Sequence, residues 1–93
     1  LDGLAVDRAG RVFVIRNGAE PRGLFELEFD LENRLTALTP VLTGDDRLVE
    51  PVTVRLTDGR AFLINDAQWR FFEGEGADPS ARADPQILSV TLP

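Results

Sequence analysis

Leu4-Ala5-Val6-Asp7-Arg8-Ala9-Gly10-Arg11-Val12-Phe13-Val14-Ile15 reads as an apolar strand, an Asp/Gly turn, an arginine and a dense apolar strand. Val54-Arg55-Leu56-Thr57-Asp58-Gly59-Arg60-Ala61-Phe62-Leu63-Ile64 repeats that order, its turn glycine about 49 residues after Gly10. A repeat of that length marks blades or solenoid units. Glycine at each turn supplies the positive φ that a tight hairpin needs. Val12 to Ile15 is apolar at every position and rich in β-branched residues, as a strand covered on both faces should be. Asn17-Gly18 ends it with strong turn chemistry.

Working outward, Phe25, Leu27, Phe29 and Leu31 alternate with Glu26, Glu28 and Asp30, the period of a half-exposed strand. Leu24, Leu27, Leu31 and Leu35 also fall at helical spacing, but a helix would leave both phenylalanines off that stripe. Leu38 to Leu42, interrupted by Pro40, reads as an irregular edge strand. After the second repeat, Ile87 to Leu92 alternates again. The intervening Glu73-Gly74-Glu75-Gly76-Ala77-Asp78-Pro79-Ser80-Ala81 has no periodicity and reads as a solvated loop. Its acidic spacing fits no EF-hand pattern.

The count is four strands in the first unit and three in the second. A propeller blade is a four-stranded antiparallel sheet. The expected fold is therefore all-β, a β-propeller fragment of two antiparallel blades, four strands plus three. Residues 1–49 form the penultimate blade and residues 50–93 the final one, with 73–85 as its loop. The fourth strand of the last blade is expected from the other end of a longer chain. The absence of methionine, including at position 1, fits a chain that begins inside a larger reading frame.

Composition narrows the chemistry. A chain of 93 residues, 43% hydrophobic, is one small ordered unit at most. Having neither cysteine nor histidine, it holds no disulfide and no Ser-His or Cys-His nucleophile pair. Any metal would be bound through oxygen, which favours calcium or a similar divalent ion. A net charge of −6, with all ten basic residues scattered arginines, argues against nucleic acid or an anionic membrane as partner. Gly74-Glu75-Gly76 lacks the setting of a phosphate-binding loop.

Asp2-Gly3-Leu4-Ala5-Val6-Asp7-Arg8-Ala9-Gly10-Arg11-Val12-Phe13-Val14 resembles the Asp-Gly-x-x-x-Asp-x-x-Gly-x-x-x-Val blade opening of the gluconolactonase/regucalcin-like six-bladed propellers and their NHL relatives. Asn65-Asp66-Ala67-Gln68-Trp69-Arg70-Phe71, the acidic loop and Pro85-Gln86-Ile87-Leu88-Ser89-Val90 are similar to the last blade of bacterial members. The resemblance covers nearly the whole chain and about a third of a complete propeller. It implies a sugar-lactonase-like, divalent-metal-dependent hydrolase acting on a small lactone. The ion would be held by carboxylate and amide side chains from several blades, with Asp2 as the one ligand in this chain. The alternative is a non-catalytic NHL-like propeller serving as a binding or interaction scaffold. In either case the partners of this chain are the remaining blades.

Each candidate residue also has a plainer role. Asp2 fits a turn residue entering a strand, bonded to a nearby backbone N–H. Asp7 and Asp58 fit hairpin turns. Glu50 fits a solvated loop or a channel mouth, and Asn17 a strand end or the channel. Trp69, Phe71 and Phe72 fit either a packing cluster at a sheet edge or the floor of a ligand pocket. Arg11 and Arg60, at matching positions, are expected to pair with acids on neighbouring strands.

Overall fold

The computed structural model describes residues 2–93. Seven strands form two antiparallel sheets, and no α-helix occurs among the described residues. The first sheet is a four-stranded meander of β1 (Asp2–Val6), β2 (Val12–Arg16), β3 (Gly23–Phe29) and β4 (Leu35–Thr43). The second is a three-stranded meander of β5 (Val54–Thr57), β6 (Arg60–Ile64) and β7 (Ile87–Thr91). Neither sheet closes on itself. No helix is long and apolar enough to cross a membrane.

The two sheets stack through one apolar face each. Phe13, Ile15 and Leu24 of the first sheet meet Val54, Ala61, Leu63 and Leu88 of the second in a single buried cluster, with Leu48 sealing it from the connecting loop. Of the strands in different sheets, β1 and β5 touch most extensively. The opposite face of β2 and β3 is also covered at its centre. Val14 and Phe25, in register, are 3% exposed each, and the Arg16 guanidinium stacks 4.5 Å over the Phe25 ring. The continuous apolar reading of β2 follows from these two buried faces.

The strand reading of residues 25–29 holds, because Phe25, Leu27 and Phe29 pair with β4 residues across one face. Leu31 departs from it. The strand ends at Phe29, and Leu31 stands fully exposed at the tip of the next turn. That turn, Asp30-Leu31-Glu32-Asn33-Arg34, repeats the geometry of Asp7-Arg8-Ala9-Gly10-Arg11. In each, the aspartate carbonyl accepts from the fourth residue's N–H, at 3.1 Å for Gly10 and 3.0 Å for Asn33. The fourth residue takes a positive φ, 86° for Gly10 and 62° for Asn33. This is a type I turn closed by a left-handed residue. The second repeat turns differently. Thr57 pairs with Arg60, leaving a two-residue loop whose Asp58 and Gly59 have φ of 49° and 76°, the signature of a type I′ turn. Asp7 and Asp58 are therefore both turn residues but not equivalent ones.

Pro40 sits on an edge strand, in register with Phe25 beside a register shift, where its missing N–H costs no ladder bond. Residues 73–85 carry no strand. A single 3₁₀ turn at Pro79–Ala81 is capped by Asp78, which accepts from Ser80 N at 3.0 Å.

Candidate functional site

The antiparallel order sends the start of β1, the β2–β3 connection (residues 17–22), the approach to β5 (44–53) and the long β6–β7 connection (65–86) to one end of the molecule. Asp2, Asn17, Glu50 and Trp69 all lie on this rim. Asp7, Arg11, Asp58 and Arg60 lie at the other end, where the turns after β1 and β5 flank an open cleft of about 360 Å³.

Cross-bonds weave the rim together. Asn17 donates from Nδ2 to the Pro51 carbonyl at 3.0 Å. Arg22 donates to the Val49 carbonyl. These bonds join the first sheet's loop to the segment that enters the second sheet. The Asn17 amide thus spans two loops, a role neither of its sequence readings contained.

Asp2 begins β1 with an exposed carboxylate. Its Oδ1 accepts from Gly3 N at 2.9 Å, and the other oxygen takes no hydrogen bond from a described residue. Among the described residues no three acidic side chains converge into a group able to hold a metal ion. A carboxylate is the right donor type for an oxygen-ligated cation, but no group of described residues completes a metal site around Asp2.

Glu50 is not a solvated loop residue. Its Oε2 accepts from Trp69 N at 2.7 Å and lies 3.4 Å from Arg70, while its backbone bridges Asp66. Arg70 grips Asp66 through two 2.8 Å bonds. The hydrogen bond from Arg70, outweighing partial burial, holds the Asp66 carboxyl below its usual range. Asp66 also accepts from Gln68 N at 2.9 Å. Gln68 itself is buried, with φ of 60°. Its side chain pairs with Ala83 twice, donating to the carbonyl at 2.9 Å and accepting from the amide at 2.7 Å.

This knot holds out a short 3₁₀ turn, Trp69–Phe71. Trp69 is 42% exposed and Phe72 58% exposed, so the aromatic cluster does not pack into the core. Phe71 is the most covered of the three, and the Arg70 guanidinium lies 4.5 Å over its ring. Behind the knot, an open cleft of about 500 Å³ is lined by Asp66, Gln68, Ser80, Arg82 and Asp84 among others.

Sequence reasoning gave no structural role to Asn65 and Gln68, the two buried polar residues among those described. Asn65 Nδ2 donates to the Arg47 carbonyl at 2.8 Å, and its backbone carbonyl accepts from Val49 and Glu50 N–H. Its Oδ1 is buried without a partner among the described residues. An amide ending an apolar strand was the available signal, since such a residue can organise the loops that follow. Neither arginine pairs with an acid on a neighbouring strand, contrary to expectation; Arg11 finds its acid inside its own turn. Arg11 pairs with Asp7 at 2.7 Å, whereas Arg60 reaches the hydroxyls of Ser89 and Thr91 on β7 and no acid.

A scan against family profiles and searches of curated proteins and of solved structures returned no match. The rim geometry is therefore the basis for any functional reading.

Proposed function

We propose that the two sheets are neighbouring blades of a ring-shaped propeller, with β1 and β5 as their inner strands. In this reading the rim at the start of β1 belongs to a divalent-metal-dependent hydrolase acting on a sugar-lactone-like substrate. Two meanders stacked face to face with their first strands in contact support the blade assignment. The observation that carries the functional reading is Asp2. It is an exposed carboxylate with one unengaged oxygen, at the mouth where the two inner strands meet. A bound divalent ion would supply Lewis-acid polarisation of the lactone carbonyl and acidify a water. This chain would contribute one anionic ligand through Asp2 and a fixed loop wall through Asn17 and Pro51.

In the intact protein, Asp2→Ala is expected to abolish metal-dependent lactone hydrolysis while leaving the thermal midpoint nearly unchanged. Retained hydrolysis would remove Asp2 from the centre.

The second reading is a non-catalytic scaffold. Glu50 favours it, because its carboxylate is committed to Trp69 N and Arg70 and is not free for an ion. A wild-type protein that binds no divalent ion and hydrolyses no lactone would overturn the hydrolase reading.

A further inference from the structure

Asparagine occurs at positions 17, 33 and 65, and the fold sets the first apart. After Asn33, the Arg34 N–H is engaged, donating to Asp30 Oδ1 at 2.9 Å. Asn65 is buried, with its Nδ2 held by the Arg47 carbonyl at 2.8 Å. Asn17 is half-buried, and the residue after it is Gly18, exposed in the β2–β3 connection. The Gly18 N–H donates to no acceptor among the described residues. Glycine also brings no Cβ to keep its nitrogen away from the side chain before it. An unengaged, uncrowded backbone nitrogen can attack the side-chain carbonyl of a preceding asparagine and expel its amide nitrogen.

The atom expelled would be the one that ties the rim. Asn17 Nδ2 donates to the Pro51 carbonyl at 3.0 Å, and Pro51 is fully buried in the segment that enters β5. Loss of that nitrogen and loss of the tie are one event.

We infer that Asn17-Gly18 is a self-modification site whose conversion unties the first sheet's loop from the entry to the second sheet. The Gly18 nitrogen bonds to Asn17 Cγ, the Cγ–Nδ2 bond breaks, and ammonia leaves, made of the Nδ2 amine and the proton given up by Gly18. Base speeds this step by freeing the nucleophile of its proton. Water then opens the five-membered imide at either carbonyl, leaving aspartate or isoaspartate at position 17. No oxidant or reductant takes part. Either product is an ionised carboxylate at neutral pH, added to a chain whose net charge is already −6. A carboxylate only accepts hydrogen bonds, so it repels the Pro51 carbonyl and leaves it without its partner. The Arg22 bond to the Val49 carbonyl is then the remaining side-chain tie between these two loops among the described residues. The site stands whether or not the rim binds an ion.

Gly18→Ala is the matched control. The φ of Gly18 lies outside the left-handed region, and a Cβ there meets nothing within 4 Å, so the fold accepts alanine while the nitrogen becomes crowded. The intact protein is held for days at physiological temperature in mildly alkaline buffer, beside a mildly acidic reference. Peptide mass mapping reads the exchange of NH2 for OH at each asparagine, and circular-dichroism melts read stability. Position 17 should convert many-fold faster than 33 or 65, and faster in alkali than in acid. The aged protein should melt lower than the fresh one. Asn17→Asp should show the lowered midpoint without ageing, and Gly18→Ala should keep the wild-type midpoint throughout. Conversion at 17 that is no faster than at 33, or that is unchanged by Gly18→Ala or by acid, would overturn the site. Conversion that leaves the midpoint unmoved would overturn the untying. Should Asn17→Asp not fold, the aged wild type against its fresh sample decides, with aged Gly18→Ala showing the damage due to other sites.

Discussion

Most of the ion pairs among the described residues lie within single loops. Asp7 with Arg11, Asp30 with Arg34, Asp45 with Arg47 and Asp66 with Arg70 are all separated by four residues or fewer. These pairs staple turns and do not join the sheets. Each is at least partly exposed, so each contributes little alone, but together they set the acid response. At Asp7, partial burial is outweighed by the bonds from Arg11, and the carboxyl stays below its ordinary range. The Arg34 backbone N–H does the same for Asp30, and the Arg47 side chain draws Asp45 down to about 2. A carboxyl with a depressed folded pKa contributes stability above its unfolded value of about 3.9, lost as pH falls through the folded value. With no histidine in the chain, the thermal midpoint should be flat from about pH 5 to 8 and fall progressively from about pH 4 toward 2. Circular-dichroism melts across that range check it. Asp66→Asn should lower the neutral-pH midpoint and soften the acid decline; an unchanged profile would show that the Asp66–Arg70 clamp contributes nothing. The turn residues differed in legibility for a physical reason. Gly10 and Gly59 announce positive φ by type, and Asn33 repeats the place of Gly10 before an arginine. Gln68 has no such preference. Its left-handed backbone is held by Asp66, two residues before it, and by Ala83, which only the folded chain brings near.

At the scale of elements, hydrophobic period carried most of the fold. The alternation of Phe25, Leu27 and Phe29 outweighed the helical spacing of the leucines because sheet pairing buries the phenylalanine ring at 25. The boundary at Leu31 was misplaced because the same alternation runs into a turn whose tip happens to be apolar. Phe13 is fully buried where the two sheets meet, so Phe13→Ala is expected to cost about 3–5 kcal/mol. Urea unfolding of the intact protein measures it. The β6–β7 connection was legible as a loop from its composition, but its anchoring was not. A Gln-Trp pair gives no hint that the glutamine side chain will close on Ala83 fifteen residues later. Gln68→Ala removes both of those bonds and should release the segment around the exposed Arg82. Limited trypsin digestion should then cut after Arg82 several-fold faster than in the parent chain. An unchanged rate would mean that the Asp78-capped turn, and not Gln68, holds the loop.

At the scale of the whole molecule, the two sheets form an elongated unit with much apolar surface left outside the shared core. The radius of gyration is 14.6 Å and the longest dimension 49 Å, against about 12 Å expected for a compact chain of this length. Only one face of each sheet contributes to the shared core. The outer face of the first sheet carries Leu4, Val6, Phe29 and Leu35, all about half exposed or more. The outer face of the second carries Arg55 and Arg60 among Phe62, Ile64 and Ile87. The register of β1 to β4 gathers the first set onto one surface, and contiguous apolar surface of this kind drives association. Open edges at β4 and β7 add unpaired backbone groups that can template further strands. Residues 1–93 produced alone are therefore expected to self-associate or to lack a cooperative transition. Light scattering coupled to size exclusion, with a calorimetric melt, tests this, and a monomer that unfolds in one sharp transition would contradict it. Leu4→Lys combined with Leu35→Lys separates the causes. Both side chains are already solvent-facing, so the pair should raise the monomer fraction with little change in secondary structure. If association persists in that variant, the strand edges drive it and the apolar face does not.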